Sequence, residues 1–469
     1  MLFNSLHFLL FFPIVLIIHN LLKDKLQKIF LLVASFYFYM SWNPNFIFLL
    51  MFSIIIDYYA ALWISKLGLN DPKRKLILTL SLTTNLGFLG YFKYTNFFLG
   101  MINDINFVNQ HYFTEYYIIL PVGISFYTFQ SISYTIDVYK NRMEAKNSFI
   151  EFALYVSFFP QLVAGPIVRA ETFFRDLYNR LPVTYDIIKY SALLILVGFT
   201  KKTVFADNLA VIVDSVFKNH DSLNAIEIWT GVFAFMWQIY FDFSGYTDIA
   251  IGVARLFGFQ FDKNFYFPFN VTSISEHWSR WHISFTSWIR DYIFIPLGGS
   301  RGSKFLLHRN IFITFLFGGL WHGAAYHYLA WGIWHTILLS GENEYSKSKL
   351  SLWFNENGGV AYKFFCYLFT MICLGAGLPL FRAETLTDAF AMLKTMFLIS
   401  DKAISNSFFN FAYFKLLILI FVSAFIFEKY KLKNMIEKTS AVVVILLIQF
   451  FLLLCFSAPN AQSFIYFAF

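Results

Sequence analysis

The residues best suited to do chemistry sit in GGLWHGAAYHYLAWGIWH, residues 318–335. His322 lies there within one apolar run, 311–339. Read as a single helix rising about 1.5 Å per residue, the run carries His322 about 17 Å into a hydrocarbon core about 30 Å thick. An ionisable group at that depth is costly, so it marks a pathway or a reaction centre. Gly318, Gly319, Gly323, Ala324 and Ala325 surround it. Small residues of this kind let a second backbone or a ligand come close. A helix-packing seam with a hydrogen-bonded core histidine is the plainer alternative.

Other chemistry-bearing residues recur along the chain. His282, in RWHIS, shares a block with Arg280 and Asp291. Trp278, Trp281, Trp288 and Tyr292 mix with charges there, as on an interfacial amphipathic helix. His277 and His282 are five apart, as are His322 and His327. Neither spacing stacks two ligands as an i,i+4 pair does, so no metal is expected. His308 reads as a loop residue, and His327 and His335 as facing an aqueous vestibule. FDFSGYTDIAIGVARLFGF (241–259) sets Asp242, Ser244, Tyr246 and Asp248 in apolar context. Intramembrane carboxylates need partners, and Lys or Arg side chains are the natural ones, whether the network is structural or chemical. LPVGISFYTFQSISYTIDVY (120–139) either lines a polar passage or glues helices together. The tail FIYFAF (464–469) ends the chain in aromatics. An extended chain from Ser457 to Tyr466 reaches about 30 Å, so Tyr466 can turn back into the helices. An interfacial aromatic anchor is the alternative.

Composition says what must position these groups. Of 469 residues, 58% are hydrophobic and 14% charged, with a mean hydropathy of +0.58. A soluble domain carries about a quarter charged residues. Long apolar runs recur throughout, so the chain reads as an all-α polytopic membrane protein. Barrel strands would be short and alternating. The net charge of +8 calls for no nucleic acid, because basic residues in short loops set topology. Cys366, Cys373 and Cys455 all lie in apolar runs and read as packing residues.

Residues 2–22 read as a first span rather than a cleaved leader. Basic loops at Lys23–Lys28, 66–75 and 140–146 place those ends in the cytoplasm and the N-terminus outside. Segment 149–162 is too short to span and reads as re-entrant. Segment 187–217 bends at Lys201 and Lys202, and 259–309 lies on the cytoplasmic face. The 311–339 run then crosses outward, with further spans at 362–380, 411–427 and 441–457. That count leaves the crossings between 339 and 411 one short. Segment 386–399 is either a short span or an in-plane helix. No nucleotide-binding or serine-nucleophile motif is present. No internal repeat is visible, which weakens a carrier in which His322 relays protons.

Taken together, 120–139, SFFPQLVAGPIVR (157–169), 241–259, SISEHWSRWHISFTSWIRDYIFIPLGGSR (273–301) and GLWHGAAYHYLAWGIWH (319–335) resemble the membrane-bound O-acyltransferase (MBOAT) family. The likeness is to its bacterial branch, which acylates cell-surface polymers by alginate O-acetylation, peptidoglycan O-acetylation or teichoic-acid D-alanylation. It covers most of the chain. Two positions depart from the usual pattern: His277 stands where an aromatic is usual, and Tyr326 where Trp is common.

The resemblance implies one transmembrane domain over 1–469, with 458–469 an extracytoplasmic tail. It implies about 11–13 spanning or re-entrant helices around a central tunnel. It makes His322 the catalytic histidine and His282 its second characteristic polar residue. It likens FIYFAF to a tail motif whose tyrosine, here Tyr466, is an acyl carrier. The implied donor is acetyl-CoA, with Arg280, Arg290 and Arg301 available for its phosphates. No metal is implied. The implied partner is an extracytoplasmic SGNH-type O-acetyltransferase in the bacterial cytoplasmic membrane system. The acceptor is read as peptidoglycan, with alginate or another exopolysaccharide as the alternative.

Overall fold

The computed structural model describes residues 1–105, 114, 116–163, 165–398, 439–458 and 464–465. Its regular elements are helices throughout, with no strand among the described residues. Two helices there, Phe46–Lys66 and Gly359–Arg382, are long and apolar enough to cross a membrane. Shorter apolar helices add to them at Leu6–Leu21 and near the C-terminus. Leu9, Leu10, Ile14 and Ile17 of the first, and Leu447, Ile448, Phe451 and Leu454 of the last helix, lie exposed. Continuous apolar surface of this kind suits lipid rather than water. The predicted span 411–427 and the basic loop 428–438 fall outside the described residues.

The chain forms two compact units. The first comprises Met1–Ile195 with Ile249–Asp262. Its core is a three-helix seam built on a carboxylate. Asp57, in Phe46–Lys66, is fully buried. Asn85 Nδ2 of Pro72–Leu89 reaches both of its oxygens at 3.0 Å. Ser81 Oγ of that helix and Ser131 Oγ of Ile124–Tyr139 also donate to it. Four donated hydrogen bonds replace the water that a buried anion loses. Of the two readings for 120–139, the helix glue is the one this seam displays. Asp57→Leu should therefore strand several buried donors, each costing about 1–3 kcal/mol. Thermal unfolding in detergent should show a large drop for Asp57→Leu and a much smaller one for Asp57→Asn.

The second unit comprises Leu196–Asp248 and Lys263–Phe469. The expected bend at Lys201 and Lys202 is a π-helical turn, Thr200–Ala206, between Tyr185–Phe199 and Asp207–Lys218. Such a turn adds a residue to the helical repeat and re-aims its side chains. Here it presents both lysines to the helix Ala225–Leu256. Gly245 permits the approach, since a Cβ there would lie 2.7 Å from the Gly198 carbonyl oxygen.

The run 311–339 is not one crossing. It breaks after His322 into two helices, Lys304–His322 and Tyr326–Ser346, that fold back on each other. The glycines explain why. A Cβ on Gly319 would sit 2.3 Å from the Tyr328 carbonyl oxygen, and one on Gly332 would sit 2.5 Å from that of Phe315. At the turn, a Cβ on Gly323 would meet the Tyr328 ring at 2.0 Å. Only hydrogen fits at these three crossing points.

The block 273–301 is likewise not one interfacial helix. Short helices Ile274–Arg280 and Ile283–Ile289 are separated at Trp281 and His282, and a π-helical turn, Arg290–Phe294, follows.

Candidate active site

His322 is the last residue of its helix, and only 4% of it is exposed. Its ring packs at an edge against Trp321 (4.9 Å), Trp331 (5.1 Å) and Phe381 (4.9 Å). Tyr328 and Phe381 close the same cluster. A histidine at a helix C-terminus sits at the negative end of the helix dipole.

His282 occupies the break in the preceding block with φ +43° and ψ +53°. The left-handed region is costly for a residue with a β-carbon and survives only where its surroundings enforce it. Asn264 enforces it here. Its carbonyl accepts from Ile283 N–H at 2.8 Å, and its Oδ1 accepts from Ser284 N–H and Oγ–H at 3.0 and 2.9 Å. His282 is thereby buried instead of facing an interface.

Two aromatic rings join the two histidines. Phe285 stacks on Trp321 at 4.1 Å. His282 lies 5.1 Å from Phe285 and 5.7 Å from Trp321. His322 lies 6.1 Å from Phe285. The two imidazoles predicted from sequence thus share one aromatic wall.

The C-terminal tail docks beside that wall. Its first anchor is the end of the helix Thr439–Phe456, where Ala458 N–H donates to the Thr203 carbonyl at 3.0 Å. Its second lies at the described residues 464–465. Ile465 N–H donates to Asp242 Oδ2 at 2.8 Å. The Phe464 ring, 2% exposed, packs on Tyr246 (4.8 Å) and Phe243 (5.6 Å). Phe243 in turn packs on His282 at 4.6 Å. Tyr246 stands four residues after Asp242 and three after Phe243, so it neighbours both on the helix surface. Tyr466 itself lies outside the described residues.

Asp242 does not act alone. Lys202 Nζ bridges Asp242 (2.6 Å) and Asp207 (2.8 Å), and all three are buried. Lys201 pairs with Asp248 at 2.6 Å. The carboxylates that the sequence marked as needing cations find them in the two lysines of the π-helical turn.

A cavity of about 50 Å³ opens beside His322. His277, His335, Trp278, Trp281 and Trp331 line it, with Met236, Leu374 and Phe381 among the apolar groups. His335, expected at an aqueous vestibule, is instead buried here at 3% exposure, and His327 is also buried with Nδ1 3.0 Å from the Leu380 carbonyl. Sequence reasoning weighed His277 only as a metal ligand and His335 only as a vestibule residue, and placed neither beside His322. The available signal was Trp331 and His335 at i,i+4, one turn apart on one face. The three arginines lie apart from this cavity. Arg280 pairs with Glu276 at 2.6 Å, Arg290 pairs with Asp291 at 2.9 Å, and Arg301 is exposed in a glycine-rich turn. Among the described residues no three His, Cys, Asp or Glu converge as metal ligands would.

An all-helical chain that buries imidazoles in an aromatic wall matches a known class of membrane enzyme. The model of the membrane-bound O-acyltransferase family fits residues 29–380. The chain belongs to that family and is an acyltransferase, which removes the carrier reading. It is 39% identical to the probable alginate O-acetylase AlgI of Pseudomonas aeruginosa over 402 residues, covering 85% of this chain and 75% of the relative. It is 36% identical to the peptidoglycan O-acetyltransferase of Helicobacter pylori over 396 residues, covering 79% and 73%. It is 27% identical to the teichoic acid D-alanyltransferase of Bacillus subtilis over 266 residues, covering 54% and 67%.

Proposed function

We propose that the protein is an O-acetyltransferase of the bacterial cytoplasmic membrane. It takes acetyl from cytoplasmic acetyl-CoA and passes it through the membrane to an extracytoplasmic glycan. His322 is the general base, His282 assists it, and Tyr466 carries the acetyl group to an SGNH-type partner transferase. The carrying observation is the docking of Phe464 and Ile465 against Asp242, Tyr246 and Phe243, with Phe243 on His282. The two residues before Tyr466 are thus held beside the histidine wall.

The chemistry balances. The Tyr466 oxygen attacks the thioester carbon while neutral His322 takes the phenolic proton. The carbon–sulfur bond breaks, and the thiolate leaves with that proton as CoA–SH. A phenol with an ordinary pKa of about 10 then leaves more readily than a sugar alcohol, so the tyrosyl ester can pass acetyl onward to a sugar hydroxyl. Acetyl crosses and CoA does not. Arg280, Arg290 and Arg301 are the candidate cations for the CoA phosphates. The partners of Arg280 and Arg290, Glu276 and Asp291, are carboxylates that a phosphate can displace at low cost.

The folded-back pair Lys304–His322 and Tyr326–Ser346 also supports the orientation proposed here. A pair that returns to its starting side supplies the crossing that a single span at 311–339 left missing. With the later spans read from the sequence, that count is consistent with the basic residues of 428–438 being inside.

The acceptor class is a cell-surface polysaccharide. The two relatives described at 39% and 36% identity carry alginate and peptidoglycan, respectively, in their names. Purified protein with labelled acetyl-CoA and the partner transferase should acetylate one of two offered acceptors, mannuronate oligosaccharides or peptidoglycan fragments. CoA release without label on either acceptor would overturn the glycan assignment. An absence of CoA release would overturn the donor.

A further inference from the structure

The cavity beside His322 holds two histidines whose tautomers are fixed by their neighbours. Trp278 Nε1–H lies 3.3 Å from His335 Nδ1. An indole N–H can only donate, so His335 Nδ1 accepts and the neutral ring carries its proton on Nε2. His277 is fixed the opposite way. Its Nδ1 lies 2.8 Å from the Pro268 carbonyl oxygen, which can only accept, so the proton is on Nδ1. The cavity is therefore lined by one ring whose Nε2 is a donor and one whose Nε2 is an acceptor.

The His335 ring is held rigidly. Trp331 lies 4.6 Å from it, Trp278 5.1 Å, and Phe315 stacks along it at 5.9 Å. His335 and Trp331 stand one turn apart on Tyr326–Ser346, and Trp331 touches His322 at 5.1 Å. The size of the space is informative. A dry cavity of about 150 Å³ admits benzene, with six heavy atoms. By that scale about 50 Å³ holds about two, which suits a two-carbon acyl group better than a longer chain. Met236, Leu374 and Phe381 offer an apolar wall for a methyl group, and the histidines offer polar ring atoms to a carbonyl.

We propose that this cavity receives the acetyl group and that His335 Nε2–H donates to its carbonyl oxygen. Trp278 is a positioning residue that keeps the proton on that nitrogen. The inference rests on the acetyl-transfer reading above and adds a group to it. As the acceptor oxygen bonds to the carbonyl carbon, the carbonyl π pair moves to oxygen, and His335 meets the charge there. Collapse re-forms the carbonyl and expels sulfur, which takes the proton held by His322. A fixed donor aimed at developing charge pays no reorganisation at the moment of reaction.

The test uses the full chain in detergent with acetyl-CoA, reading CoA release and the melting temperature. His335→Ala should lower kcat by about 10²–10³ with KM nearly unchanged, the loss typical of one oxyanion donor. His335→Gln places an amide N–H near the lost Nε2–H and should recover most of that loss. Trp278→Phe, which frees the tautomer, should give an intermediate kcat. Wild-type kcat in His335→Ala overturns the inference. So does His335→Gln being as slow as His335→Ala while melting like wild type, because ring packing would then be the requirement. If His335→Ala does not fold, the order of His335→Gln and Trp278→Phe decides, and a fully active Trp278→Phe removes the tautomer lock. A wild-type protein that releases no CoA overturns the acetyl-transfer reading itself. An active wild type, with His322→Ala dead and His335→Ala unaffected, overturns the present inference alone.

Discussion

Alanine in place of His322 should abolish acyl transfer, with kcat falling by about 10²–10⁴ as expected for loss of a general base. No other described imidazole occupies its place at the end of Lys304–His322. His282 is separated from it by Phe285 and Trp321. Truncating a buried ring also opens a hole beside Trp321, Trp331 and Phe381. Part of the effect could therefore be a packing loss. His322→Gln separates the two causes, since it keeps much of the volume and a hydrogen-bonding tip but cannot take a proton at neutral pH. Both variants should be equally inactive in CoA release, and His322→Gln should melt closer to wild type. Activity within tenfold of wild type in His322→Gln would remove His322 from the proton-transfer role.

Lys202→Met should bring the largest loss of stability. The substitution strands Asp207 and Asp242, both nearly fully buried, without their shared cation. Breaking a buried ion pair on one side costs about 3–5 kcal/mol, because an uncompensated charge stays behind. The triple change Lys202→Met, Asp207→Asn, Asp242→Asn removes all three charges and should recover most of the melting temperature. The triad also serves the site, since Asp242 Oδ2 holds Ile465 N–H. CoA release should therefore stay impaired in the triple variant more than its stability predicts. A Lys202→Met protein that melts like wild type would show that the triad is not buried as described.

Much of this was legible in the sequence, for physical reasons. Charge content and long apolar runs fix an all-helical membrane chain, since backbone groups in lipid must bond within their own segment. His322 and the acidic positions 242 and 248 stood out because such groups are expensive within apolar runs. The need of the carboxylates for cations followed, and Lys201 and Lys202 were visible as an oddity in an apolar segment.

The hairpin turn at Gly323 was not legible. Gly and Ala barely change hydropathy, so 311–339 scores as one run. What breaks it is the close approach at Gly319, Gly323 and Gly332 to atoms up to seventeen residues away, as between Gly332 and Phe315. The break at His282 was hidden for a similar reason, because it depends on Asn264, eighteen positions earlier. The proposed role of His335 needs Trp278, fifty-seven residues distant. The partner of Arg280 could have been read, because Glu276 lies four residues before it on the same helix.

The central claim is that acetyl passes from a thioester to the C-terminal tail under the control of His322. The most direct measurement is mass spectrometry of the purified chain after incubation with labelled acetyl-CoA, comparing wild type, His322→Ala and Tyr466→Phe. The account predicts label on Tyr466 in wild type, removed by either substitution and chased onto glycan when partner and acceptor are added. Label elsewhere on the chain in Tyr466→Phe, still lost in His322→Ala, would keep the enzyme and contradict the tyrosyl carrier. Undiminished glycan acetylation by Tyr466→Phe would contradict it outright.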